Sequence, residues 1–221
     1  MSPLLRLADA PTARDVLTFV GRAARISDEG VRMQASGGTL ALTAGVLAPQ
    51  GLFDQTPTIL GMRIVHADPE LTCDIVVDSV EESSDETALQ LPATGLSPAW
   101  AGVSPPQGEW EQVGLLEAAV VAQRAQWGIS AVAHGTPDVA GEEAVRSLRA
   151  RIWGEPDDDL LQLPRGVAFA ADSLGFIGGE EEVRVLQSGR WTRLAFRRGH
   201  VLSRGPAVSG LTPVRHTGAT E

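Results

Sequence analysis

An α+β fold is predicted, with an N-terminal helix on a mostly antiparallel sheet and a C-terminal helical half ending in a β-ribbon. Three features of the 221-residue chain predict it. Segments with a 3.6-residue apolar period alternate with segments of period 2. The period-2 segments are joined by short turn signals rather than by helices, which favours antiparallel neighbours. Hydrophobic residues make up 43% of the sequence, enough for a packed core.

Residues 12–26, TARDVLTFVGRAARI, carry the first helical pattern. Thr12 is the expected N-cap, with Asp15 at capping-box spacing. Val16, Phe19, Val20, Ala23 and Ala24 form its apolar stripe. A hairpin follows. Val31, Met33 and Ala35 alternate with polar residues, Gly37-Gly38 makes the turn, and Leu40, Leu42 and Ala44 alternate on the return. Three further strands are expected at Leu60–His66, Asp74–Val80 and Thr87–Leu91, the last two joined by the acidic EESSDE. Residues 92–109 hold four prolines and three glycines, a density that breaks regular structure. They are read as a linker between a helix-plus-sheet subdomain, 1–91, and a helical subdomain with a ribbon, 110–204. Trp100 and Trp110 imply that this linker is packed down rather than free.

The second half is expected to open on a helix over Gln112–Trp127, with Val113, Leu116, Val120 and Trp127 on one side and Gly128 breaking it. Asp138 is a cap for a helix over Val139–Trp153, and a small-residue helix covers Val167–Phe176. Three helices ahead of a ribbon follow the order of a winged helix. The last of them, however, offers only Ala168, Ala170, Ala171, Asp172 and Leu174, with no basic residue to read bases. In the ribbon, Val183–Gln187 turns at Ser188-Gly189 into a second strand, and Arg198-Gly199-His200 turns the chain again into Val201–Arg204. On the second strand Arg190, Thr192, Leu194, Phe196 and Arg198 share the side expected to face the core. Trp191, Arg193, Ala195 and Arg197 share the outer side. Residues 205–221 have the composition of a flexible tail.

Charge singles out the ribbon. From residue 183 onward there are seven arginines and one acid, Glu221, whereas the rest of the chain has eleven arginines and 27 acids. Charge segregation of this kind marks a candidate anion-facing surface. The candidate binding residues are Arg184, Trp191, Arg193, Arg197, Arg198 and His200. The plainer reading pairs these arginines with the chain's own Glu180–Glu182 or Asp157–Asp159. Trp and Arg together suit a protein partner or self-association. They also suit weak, salt-sensitive nucleic-acid contact at the ribbon. A net charge of −10 restricts any such contact to this one place.

Much chemistry is excluded. All 18 basic residues are arginine, so there is no lysine for a Schiff base or a phosphate-binding loop. The sequence has no GxGxxG, GxSxG, HExxH or CxxC. Cys73 stands alone and reads as a small buried apolar residue beside a strand-like run. His66 with Asp68, and His134 with Asp138, are two-residue fragments short of a metal site. Ser104 or Ser173 with His134 or His200 would need assembly from distant places. No cofactor and no membrane contact is expected, and the expected location is the cytoplasm. The leading expectation is a non-enzymatic protein-interaction or regulatory module that uses the Arg/Trp ribbon face. The alternatives are a nucleic-acid-associated protein and an enzyme with a dispersed site.

The stretches LADAPTARDVLTFVGRAARI, FAADSLGF and RRGHVL, in a chain without lysine, resemble a group of uncharacterised proteins from high-GC bacteria. The resemblance implies no activity, ligand or functional residue.

Overall fold

A computed structural model describes residues 4–51, 53–135 and 141–205. Asp138, Val139, Arg215, His216 and the expected tail beyond Gly205 lie outside the described residues. In chain order the elements are β1 (Leu4–Arg6), α1 (Ala10–Ala23), β2 (Val31–Ser36), β3 (Thr39–Leu47), β4 (Thr58–His66), β5 (Cys73–Val77), β6 (Glu81–Glu82) and β7 (Ala88–Gln90). The second half has β8 (Glu111–Glu117), α2 (Ala118–Gly135), α3 (Glu142–Gly154), β9 (Pro156–Asp157), β10 (Leu163–Pro164), α4 (Gly166–Ser173), β11 (Glu182–Ser188), β12 (Trp191–Phe196) and β13 (Gly199–Arg204). The α+β class expected from the sequence is the class found.

Eight strands form one antiparallel sheet in the order β5-β2-β3-β4-β13-β12-β11-β8. The first half supplies the meander β2-β3-β4 and the second half the meander β11-β12-β13. Their last strands meet, with Met62 opposite His200 and Leu60 opposite Leu202. Small sheets β1-β7-β6 and β9-β10 complete the strands. The helices cover one face. Val16, Phe19, Val20 and Ala23 of α1, Val121 and Ala125 of α2, and Val167, Ala168, Ala170 and Ala171 of α4 are buried with Leu42, Leu194 and Val201 of the sheet. Phe176 lies at the centre, its ring stacked 6.2 Å from Phe19 and tilted 6.4 Å from Phe196. The core is therefore shared by residues of both halves.

Local chemistry sets most boundaries. Asp9, not Thr12, caps α1: its carboxylate accepts from the Thr12 amide at 2.8 Å, and Pro11 occupies the first turn, where a missing N–H costs nothing. Asp15 is used elsewhere, in an ion pair with Arg63 of β4. Ala24 lies past the helix end and is exposed.

The expected helix over Gln112–Trp127 is corrected. Residues 111–117 are an edge strand, with Leu116 opposite Val183 and Gly114 opposite Val185. The helix begins only at Ala118, whose amide donates to the Glu181 carbonyl at 3.0 Å. Gly128 does not break α2; it is buried within the helix, beside Trp153. The ribbon turns each sit one residue away from the expected pairs. Ser188 faces Trp191, so Gly189 and Arg190 make the first turn, and Phe196 faces Gly199, so Arg197 and Arg198 make the second. Arg190 and Arg198 therefore stand at turns rather than on the core side. No described helix is long and apolar enough to cross a membrane.

Candidate functional site: the outer face of the sheet

The helices cover one face of the large sheet; segment 97–110 partly covers the other. Trp100 lies in a short 3₁₀ turn, Ala99–Gly102, the one regular piece in the stretch read as linker. Its ring rests on Gly45, where a Cβ would come within 2.8 Å. Leu60, Val76, Trp191 and Leu202 pack with Trp100 into a second, smaller core, and Trp110 and Val103 lean on it. The Ala101 carbonyl accepts from Arg32 at 2.8 Å, and Trp110 Nε1 donates to the Pro106 carbonyl at 3.2 Å. The segment is packed down, as the two tryptophans implied.

This covering changes the environment of Trp191. It points away from the helices, as strand alternation requires, but it is only 7% exposed. Its neighbour in space is Arg204, whose guanidinium carbon lies 5.9 Å from the ring. Arg193 stacks instead on Trp110, at 4.5 Å.

The six sequence-selected residues thus separate into three places. Trp191 is at the covered end. Arg197 and Arg198 form the far turn, where the Arg197 amide donates to the Glu181 carboxylate at 3.0 Å and the Arg198 carbonyl accepts from Arg63. Arg184, Arg193 and His200 come together in between. Arg184 and His200 lie on either side of Ala195 in the strand register, and Arg193 is on the same face. Burial, and then the nearby Arg184, lower the pKa of Arg193. Burial first, then Arg193 and Arg184, lower that of His200. Arg193 Nε and His200 Nδ1 are buried without a hydrogen-bond partner. Exposed aliphatic side chains lie around them, Ile64, Leu115 and Val113 at 52%, 48% and 53%, with Glu117 and Glu182 one step further along the same face.

Of the acids first considered as partners for these arginines, Glu181 does pair with Arg197, at 3.9 Å, whereas Asp157 is used elsewhere. Asp157, 4% exposed, accepts from Arg124 Nε at 2.9 Å and Arg165 Nε at 3.2 Å. Both of those guanidiniums stack on Trp127, at 5.0 and 4.6 Å. This knot fastens α2 to the segment before α4.

The remaining candidates do not converge. His134 Nδ1 lies 2.7 Å from the Ser130 carbonyl at the end of α2. Ser173 ends α4 on the helix side, whereas His200 is on the other side of the sheet. Burial raises the pKa of Cys73. Among the described residues, no group of three or more His, Cys, Asp or Glu is placed to hold a metal ion. Sequence reasoning put Ala195 on the outer side with Arg193 but missed Leu115, Met62 and Ile64 as parts of this face. Their proximity depends on pairings between distant strands that no local pattern encodes.

Two family models divide the chain. Residues 1–102 match a domain of unknown function (DUF8010), and residues 105–208 match a second (DUF8185). Their boundary falls inside the covering segment. No curated protein matches the sequence. Among solved structures, the chain is similar to the DnaN sliding clamp (DNA polymerase III subunit beta) from Bartonella birtlesii bound to griselimycin. The TM-score is 0.51 at 14% identity, over 96% of this chain and 67% of that one. The DNA polymerase sliding clamp from Caulobacter crescentus gives a TM-score of 0.47 at 13% identity, over 99% and 69%. The fold resembles that of sliding clamps at low identity.

Proposed function

We propose that the chain is a non-enzymatic, clamp-like protein-interaction module of the cytoplasm that docks partner proteins on the outer face of its sheet. The observation that carries this reading is the cluster of Arg184, Arg193 and His200, set among exposed aliphatic side chains and lacking an ion-pair partner among the described residues. Arginines beside apolar surface are the composition of interface hot spots rather than of a solvated face. The solved neighbours are named as DNA polymerase sliding clamps, so partners that work on DNA are the class to look for first.

The experiment is affinity capture from host lysate followed by cross-linking mass spectrometry, with the native chain and Arg184→Glu as baits. The expected result is a partner, or a second copy, cross-linked near β8, β11–β13 and the end of β4, and lost with Arg184→Glu. Cross-links on the helical face that survive the substitution would overturn the reading.

A second reading, contact with nucleic acid through the same cations, draws on the crowding of arginines in the ribbon. It has less to work with, because Trp191 is buried and offers no ring for base stacking. Anisotropy of labelled single- and double-stranded DNA and RNA at low salt decides it: binding lost in Arg184→Ala/Arg193→Ala would favour nucleic acid.

A further inference from the structure

A single row of side chains crosses five strands of the outer face: Leu115, Arg184, Ala195, His200 and Met62, each directly opposite the next. Ala195 is the smallest of the five, so the row dips at its centre. Arg184 and His200 flank the dip two strand spacings apart, roughly 10 Å. Arg193 lies two residues before Ala195 on the same face. Three cationic or protonatable groups therefore surround one small residue. Arg193 Nε and His200 Nδ1 have no hydrogen-bond partner. None of the ion pairs among the described residues involves Arg184 or Arg193. Like charges held together with no ion-pair contact, and the buried Arg193 Nε–H left unmade, are costs that a carboxylate placed in the dip would relieve.

We infer that this notch receives a side-chain carboxylate from an extended acidic segment of a partner protein. The inference rests on the interaction reading above and names the chemistry of the partner. Two observations favour a peptide over a nucleic acid. Leu115 on one side and Ile64 on the other give aliphatic side chains a surface on which a phosphate backbone gains nothing. Glu117 and Glu182 stand opposite each other one step further along the same face, where they confine an anion to the notch and repel a long polyanion. An extended segment fits because its alternate side chains point the same way, one to the notch and the next to the aliphatic flank.

The test is fluorescence anisotropy with a labelled decapeptide whose every second residue is aspartate and leucine in turn, with serine between them, against the same peptide with asparagine in place of aspartate, on the full chain. The expected result is saturable binding of the acidic peptide, weakened roughly tenfold or more by Arg184→Ala. Arg193→Gln should act likewise, and Arg14→Ala on α1 should have no effect. Arg184 is exposed, so its variant remains informative if Arg193→Gln fails to fold. Equal binding of both peptides, or acidic binding unchanged by Arg184→Ala, overturns the carboxylate assignment. The interaction reading falls with it only if partner capture is also indifferent to Arg184→Glu. Tight binding of a duplex DNA oligonucleotide that Arg184→Ala abolishes overturns both.

Discussion

Replacing Gly199 by alanine tests the seam that joins the two halves. Gly199 opens β13, the strand that pairs with β4 across that seam. A Cβ built there lies less than 3.0 Å from three atoms of the Phe176 ring. The ring cannot yield easily, since it is fully buried and held between Phe19 and Phe196. Overpacking of this kind costs about 3 kcal/mol, at the upper end of the usual range, because the obstacle is a rigid ring. Alanine restrains the unfolded chain and returns somewhat under ~1 kcal/mol in a strand. The net expectation is a loss of about 2 kcal/mol. For a chain of this size that is a fall in melting temperature of roughly 4–8 °C. Thermal unfolding followed by tryptophan fluorescence measures it, with Gly108→Ala, whose Cβ meets open space, as the neutral control. A melting temperature unchanged or raised in Gly199→Ala would refute the packing argument at the seam.

Three further outcomes are expected. Burial pushes the Asp157 carboxyl up, but Arg124, the Asp159 amide and Arg165 together hold it below its ordinary value. Its stabilisation is thus complete above about pH 4 and lost as pH falls through the lower folded value, and Asp157→Asn should cost about 3 kcal/mol at neutral pH while flattening the acid limb of the stability curve. His200 behaves in the opposite sense to a salt-bridged histidine: its folded pKa is lowered, so the unfolded chain takes up a proton first as pH drops through the ordinary 6.5. Stability should decline below that pH, less so in His200→Gln, as read from urea midpoints across the range. Trp100→Ala should cost about 3 kcal/mol and free segment 92–109, so that limited proteolysis cuts there first. Whether 1–91 and 110–204 then persist as separate fragments tests the proposed division into subdomains.

The elements with strong local periodicity were legible in the sequence. The apolar stripe of α1, Ala24 apart, and the β2-β3 hairpin at Gly37-Gly38 are found where the pattern put them, because each buries one face regardless of its neighbours. β8 was misread for a physical reason: as an edge strand it buries only Leu116, so its apolar residues carry no clean alternation and could be counted at helical spacing. The ribbon's alternation was read correctly, yet the burial of Trp191 depends on Trp100 folding over from more than ninety residues away in sequence. The same holds for the site. Charge marked Arg184, Arg193 and His200, and alternation put Ala195 beside Arg193; Leu115 and Met62 join them only through the register of five strands.

The central claim is that the outer face, not the helical face, is where this protein meets its partner. All 18 basic residues are arginine, so the proton–nitrogen correlations of the guanidinium Nε–H groups report on both faces of the sheet. Titrating the acidic decapeptide into the nitrogen-labelled chain should shift Arg184 and Arg193 first, while Arg14, Arg25 and Arg151 on the helical side stay still. Shifts confined to those three, with Arg184 and Arg193 unmoved at saturation, would contradict the account.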